Sequence, residues 1–256
     1  MTMILAGLSA HLSSRARSIP AFTGSNLYEG SLSSIEIQIP NTISGLALVV
    51  SVTYCHRKQQ AFTPPDPTLS FVANVFRMLG HPLSPTHLSC MEKLWMLYAD
   101  HGMANATAAF LHSASTRADP MSCLIAALSA GYGPLHGGAI DMVYHMLSNV
   151  GTVENVPALI EEVKSGRESG KKLYGFGHRI YETEDPRARL IKQLLKEFET
   201  EELEIMKVAK EIERLASQDQ WFESRKIRMN VDLYGCFVYT ALYACPPFLL
   251  QAISSE

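Results

Sequence analysis

Apolar residues recur every three or four positions along most of this 256-residue chain. That spacing places them on one face of an α-helix, whereas no stretch shows the two-residue alternation of a half-buried strand. The pattern predicts helices over residues 69–79, 86–100, 104–115 and 120–129, and one or two more within the charged stretch 186–217. We therefore expect an all-α fold.

The composition argues against several classes of protein. Hydrophobic residues make up 47% and charged residues 18%, which is typical of a globular chain. A formal net charge of -3 gives no electrostatic reason to expect a nucleic-acid partner. The five cysteines form no C-x-x-C pair, so reduced thiols in an intracellular protein are expected. The apolar stretch 43–55 is shorter than the roughly 20 residues of a membrane span, so we expect a buried helix and no membrane association.

The first 22 residues allow two interpretations. Arg15, Arg17, several serines and the absence of any acidic residue before Glu29 fit a mitochondrial transit peptide weakly. The helical spacing of Ile4 and Leu8 fits a core helix followed by a loop instead. We favour the core helix, and the composition does not decide between a cytoplasmic and a mitochondrial location.

Residues suited to catalysis are concentrated in three short segments, 132–139, 173–187 and 230–235. The first contains three glycines around His136. Each glycine would cost about 1 kcal/mol inside a helix, so this segment should mark a helix boundary. A histidine at such a boundary can present its ring to a ligand beside exposed backbone N–H groups.

The other two segments add groups that bind and transfer protons. Gly175 and Gly177 permit close approach of the backbone to a ligand, and His178 follows at once. Arg187 can hold a carboxylate through two parallel hydrogen bonds. Asp232 stands among apolar and small residues, which should raise its pKa and suit it to act as a general base. Taken singly, a histidine is more often a core or surface residue, and a buried aspartate more often caps a helix.

Together, these segments resemble the active-site segments of the citrate synthase family. GPLHGGA, GFGHRIY followed by DPR, and NVDLY stand in the family's order, and ADHG at residues 99–102 resembles a fourth segment. The resemblance implies a citrate-synthase-like two-domain helical fold and a homodimer. The large domain would hold residues 1–139 and 237–256, and the small domain residues 140–236.

The resemblance also implies a role for each matched residue. His136 would hydrogen-bond the thioester carbonyl while Asp232 removes the α-proton of the acyl group. His178 would polarise and then protonate the ketone oxygen of oxaloacetate. An enolate-stabilising donor must act together with the base, because a thioester α-proton is too weakly acidic for a free carboxylate.

Further matched residues would bind the substrates, oxaloacetate and an acyl-CoA. His101 and Arg187 would hold carboxylates of oxaloacetate. The backbone that would lie against CoA is that of Leu173, Tyr174, Gly175, Phe176 and Gly177. CoA enters as the thioester substrate, and no further cofactor and no metal are expected. The chemistry implied is that of an acyltransferase whose acyl group becomes alkyl on transfer.

The sequence also departs from the family. Glu182 stands where the family usually has a basic residue near the CoA phosphates, and Gly102 replaces the usual glutamate after His101. These changes favour a divergent member, for which a longer acyl donor and an alkylcitrate product of secondary metabolism are a reasonable hypothesis.

The ends of the sequence raise a second function. The family's two C-terminal arginines have no counterpart after Asp232, and the chain matches the family as if shortened at both ends, with the large domain incomplete. The alternative is therefore a non-catalytic truncated homologue that acts as a binding or dimerisation partner, and a shortened gene model is a third explanation.

Overall fold

The computed structural model describes residues 2–14, 32–99, 102–166, 172–198 and 203–243. The helices in these ranges are, in chain order, α1 (Thr2–Ser14), α2 (Leu32–Lys58), α3 (Phe71–Met78), α4 (Pro85–Ala99), α5 (Asn105–Ala114), α6 (Pro120–Gly131), α7 (Ala139–Val150), α8 (Val156–Lys164), α9 (Pro186–Leu195), α10 (Glu204–Gln218), α11 (Gln220–Ser224) and α12 (Asp232–Tyr243). A short 3-10 turn, Val153–Asn155, precedes α8. The described residues contain no strand, only an isolated antiparallel bridge between Phe176 and Met229, and the predicted all-α class is confirmed.

Local sequence signals set several of these helix bounds. Asp119 caps α6, with its Oδ1 accepting hydrogen bonds from the N–H groups of Met121 and Ser122 at 2.9 Å each. Pro120 fits the first helical position because it has no N–H to leave unpaired. The charged stretch 186–217 forms two helices, α9 and α10, as the apolar spacing allowed.

The apolar stretch 43–55 belongs to the 27-residue helix α2. Val49, Tyr54 and Cys55 are buried, but Ile43 is 49% exposed and Val52 45% exposed. The prediction of a buried helix was therefore wrong for one face, which no described residue covers. No described helix is long and apolar enough to cross a membrane.

The first compact unit contains the described residues up to His136. Ile4 and Leu8 of α1, Val49 of α2 and Met121 of α6 form a buried cluster in it. Gly7 allows α1 and α2 to approach closely, since a Cβ added there would lie 2.7 Å from Val49 Cγ1. The burial of Ile4 and Leu8 is what the core-helix interpretation of these residues expects.

The second compact unit begins at Gly137 and contains α7 to α12. Helix α12 packs against α9 and α7. Fully buried side chains join these helices, among them Leu147 of α7, Ile191 of α9, Ile212 of α10 and Phe237 of α12. Each such side chain contributes about 1.5–3 kcal/mol through burial, so α12 is firmly anchored in the second unit.

The predicted domain bounds differ in detail from this division. The prediction placed the boundary after residue 139 and assigned residues 237–256 to the large domain. Residues 237–243 continue α12 and lie in the second unit. The domain bounds stay a prediction.

Candidate active site

His136 lies in the loop between α6 and α7, at the end of the first unit. Its backbone N–H donates to the carbonyl oxygen of Gly133 at 2.9 Å, which closes a turn, and its side chain is half-buried. The prediction that the glycines of residues 132–139 mark a helix boundary is confirmed, since α6 ends at Gly131 and α7 begins at Ala139.

Two glycines shape the turn that leads into His178. Gly175 and Gly177 have φ of 83° and 82°, in the left-handed region that other residues adopt only with strain. A Cβ added at Gly175 would lie 2.9 Å from Leu233 Cβ on α12, whereas one added at Gly177 would have no neighbour within 4 Å. The backbone at Gly175 thus lies close to α12, whereas the space beside Gly177 is open among the described residues.

The imidazole ring of His178 is held by the backbone of its own turn. Its Nδ1 accepts hydrogen bonds from the N–H groups of Ile180 and Tyr181, both at 3.1 Å. The ring also stacks on that of Tyr181, with the centroids 4.6 Å apart. Because Nδ1 accepts, the proton of the neutral ring lies on Nε2, so the ring presents Nε2–H as a donor.

Asn230 connects the turn that carries His178 with the helix that carries Asp232. Its backbone N–H donates to Gly175 O at 2.9 Å, and its side-chain Nδ2 donates to Gly177 O at 2.9 Å. Its Oδ1 accepts from the backbone N–H of Asp232 at 3.0 Å, where α12 begins. One side chain therefore sets the position of both segments.

Asp232 is half-buried at the first residue of α12, between the buried side chains of Val231 and Leu233. Helix α12 is also held by a side chain of its first turn. Tyr234 donates from its hydroxyl to Glu213 Oε2 at 2.5 Å. Burial first, and then the hydrogen bond to Glu213, raise the pKa of Tyr234 well above its usual range, so the phenol stays protonated and keeps donating.

Arg187, predicted to hold a carboxylate of oxaloacetate, pairs with Asp185 in the described structure. Its Nε donates to Asp185 Oδ1 at 3.0 Å and its Nη2 to Oδ2 at 2.8 Å. Asp185 is 1% exposed and caps α9 by accepting from the N–H of Arg187. Burial alone would raise the pKa of Asp185, but the hydrogen bonds and charge of Arg187 outweigh it and hold that pKa below its usual value.

Asp185 also binds the segment that precedes Asp232. Its Oδ2 accepts from the N–H of Val231 at 3.2 Å, and its own N–H donates to Met229 O at 3.1 Å. The carboxylate is thus shared between Arg187 and the strand-like segment next to α12. The sequence reasoning assigned no role to Asp185, although an aspartate before a proline is a recognisable signal for a helix start.

Glu182 forms an ion pair that the sequence did not predict. Lys226 Nζ lies 2.6 Å from its Oε2, and the two side chains are 60% and 69% exposed. Such an exposed pair contributes little stability, and it places a lysine beside the Glu182 carboxylate.

The structure brings part of the predicted site together. His178, Arg187, Asp232 and the segment Leu173–Gly177 all belong to the second unit, whereas His136 belongs to the first. Leu173 is buried, and Tyr174 and Phe176 are half-buried. His101 lies outside the described residues. The roles of these residues stay predictions, and among the described residues no three possible metal ligands come together.

The chain matches known proteins over nearly its whole length. A family model described as the C-terminal domain of citrate synthase matches residues 1–252. The citrate synthase-like protein oryE of Aspergillus oryzae is 42% identical, over 98% of this chain and 57% of that protein. The alkylcitrate synthase phiJ of a fungal species is 41% identical, over 94% of this chain and 54% of that protein. The chain thus spans about half the length of the curated relatives it matches.

A solved structure shows the same fold. The citrate synthase of Thermoplasma acidophilum, in complex with carboxymethyl coenzyme A and oxaloacetate, matches with a TM-score of 0.81. The match covers 98% of this chain and 65% of that protein, at 23% identity, so it speaks for the fold alone.

Proposed function

This chain belongs to the citrate synthase family, and we propose that it is an acyltransferase that condenses an acyl-CoA with oxaloacetate, giving a citrate or alkylcitrate and free CoA. The observation that carries the proposal is the arrangement around Asn230. A histidine with an Nε2–H donor and a half-buried aspartate are held by one hydrogen-bonded network, and both lie in segments that match the family.

In the proposed reaction, Asp232 removes the α-proton of the thioester, while His136 donates a hydrogen bond to the thioester oxygen as the enolate forms. The enolate carbon attacks the ketone carbon of oxaloacetate, and His178 delivers its Nε2 proton to the ketone oxygen. The proton that Asp232 took returns to His178 through solvent, so both residues regain their starting state. Water then hydrolyses the thioester, releasing CoA and the product carboxylate. Fixed donors at both oxygens lower the barrier because they need no reorganisation as charge develops.

Substrate binding is the second part of the proposal. Oxaloacetate carboxylates are held by His101 and Arg187, and CoA lies along Leu173–Gly177. Arg187 keeps its bidentate bond to Asp185, which fixes the guanidinium plane for recognition of a carboxylate. Relatives named as alkylcitrate synthases support an acyl donor longer than acetyl-CoA. We also propose an intracellular homodimer, which mass measurement in solution tests.

The test is release of free thiol from a series of acyl-CoAs in the presence of oxaloacetate. Asp232→Ala removes the general base, whose usual contribution is about 10²- to 10⁴-fold, so kcat should fall by at least about 100-fold. Glu204→Gln, at an exposed position of α10 that has no role in the proposed reaction or in substrate binding, serves as the control and should keep turnover within a few-fold. No thiol release from any donor by the folded wild-type protein would refute the proposal.

The non-catalytic alternative is not favoured. The curated relatives are named as citrate synthases and alkylcitrate synthases, and the matched histidines and aspartate are all present in this sequence.

A further inference from the structure

A groove lies between two helices of the second unit. Its walls are the faces of α7 and α8, and Lys172 and Tyr174 line it as well. Its cavity volume is about 440 Å³, which is within the range of pockets that hold small molecules.

Most of the exposed lining surface is apolar, although His145, Asn149 and Asn155 also line the groove. Met142 and Met146 stand one turn apart on α7, opposite Ala158 and Leu159 on α8. Methionine side chains are flexible and polarisable, so they fit apolar groups of varied length. Lys172 is the lining's one lysine or arginine, and Glu162 offsets its charge, so the groove offers an anion little attraction.

The groove adjoins the proposed CoA-binding segment. Tyr174 lines it and immediately precedes Gly175, whose turn leads to His178. On the premise of the proposed condensing function, we propose that this groove receives the alkyl tail of a longer acyl-CoA. Acetyl-CoA would leave it empty. An apolar tail suits the groove because its methylene groups leave water for a lining that is itself apolar.

Filling the groove tests this assignment directly. Ala158 is exposed and lines the groove, so Ala158→Phe places a ring in it without disturbing the core. Ser148→Phe adds the same ring at an exposed position of α7 that does not line the groove. Binding of free CoA and of acetyl-, hexanoyl- and decanoyl-CoA is measured by calorimetry without oxaloacetate, so no turnover is needed.

Wild-type protein and Ser148→Phe should bind longer donors more tightly, by up to about fourfold in association constant for each methylene buried. Ala158→Phe should lose that increase and bind free CoA and acetyl-CoA as wild type does. An equal increase in wild type and Ala158→Phe, or no increase in wild type, would overturn the assignment. If Ala158→Phe weakened the binding of free CoA and of decanoyl-CoA equally, the assignment would also be overturned, because the groove would then hold a part of CoA itself. Failure of the condensing function would appear separately, as absent thiol release.

Discussion

Replacing Asp185 by asparagine should destabilise the protein far more than a change of one atom suggests. The carboxylate accepts four hydrogen bonds, from N and Nε of Arg187 on Oδ1 and from Nη2 of Arg187 and N of Val231 on Oδ2. In either orientation, the amide of Asp185→Asn would turn N–H groups toward two of these donors. The side chains of Arg187 and Asp185 are only 14% and 0% exposed, so water cannot replace the lost partners.

Breaking a buried ion pair at one partner costs about 3–5 kcal/mol, which is a large part of a typical folding free energy of 5–15 kcal/mol. Urea unfolding of Asp185→Asn measures this loss. Asp219→Asn is a matched control, since Asp219 also caps a helix and pairs with a cation, Lys164 at 2.9 Å, but both side chains are about a quarter exposed. The control should lose at most about 1 kcal/mol. A loss in Asp185→Asn no larger than in the control would refute the reasoning.

The same carboxylate should make stability depend on acid. The folded-state pKa of Asp185 is lowered, so its contribution is present above the unfolded-state pKa of about 4 and is lost as pH falls through the folded-state value. The free energy of unfolding, measured at a series of pH values below 5, should therefore fall less steeply with decreasing pH for Asp185→Asn than for wild type. Identical slopes would show that the Arg187 pair does not control this carboxyl.

Two further tests concern the packing and hydrogen bonding that hold the proposed site. Gly175→Ala should lower the thermal stability more than Gly177→Ala. Both substitutions strain a positive φ by about 1–3 kcal/mol, but only the Cβ at residue 175 collides with Leu233, and equal shifts in Tm would contradict this. Tyr234→Phe should cost about 1.5–3 kcal/mol in urea unfolding, through loss of the hydrogen bond to Glu213, and an unchanged midpoint would show that this bond is not needed.

Local signals in the sequence determined much of the architecture. The apolar spacing predicted α4, α5 and α6 to within two residues at each end, because helical periodicity depends only on residues three and four apart. The glycines around His136 predicted the break between α6 and α7, because each glycine would be costly inside a helix. Motifs around His178 and Asp232 identified the family without any knowledge of their contacts.

The tertiary structure decided which side chains meet across long separations. The sequence could not show that Asp185, which pairs with Arg187, also accepts from the N–H of Val231, since that contact joins segments 46 residues apart. Nor could it show that Gly175 lies against Leu233 of α12, where an added Cβ would be 2.9 Å from Leu233 Cβ. It also treated residues 43–55 as buried throughout, because periodicity shows that a face is apolar but not whether a neighbour covers it. Helices follow from neighbours in sequence, and contacts follow from the packing of whole helices, which no local pattern specifies.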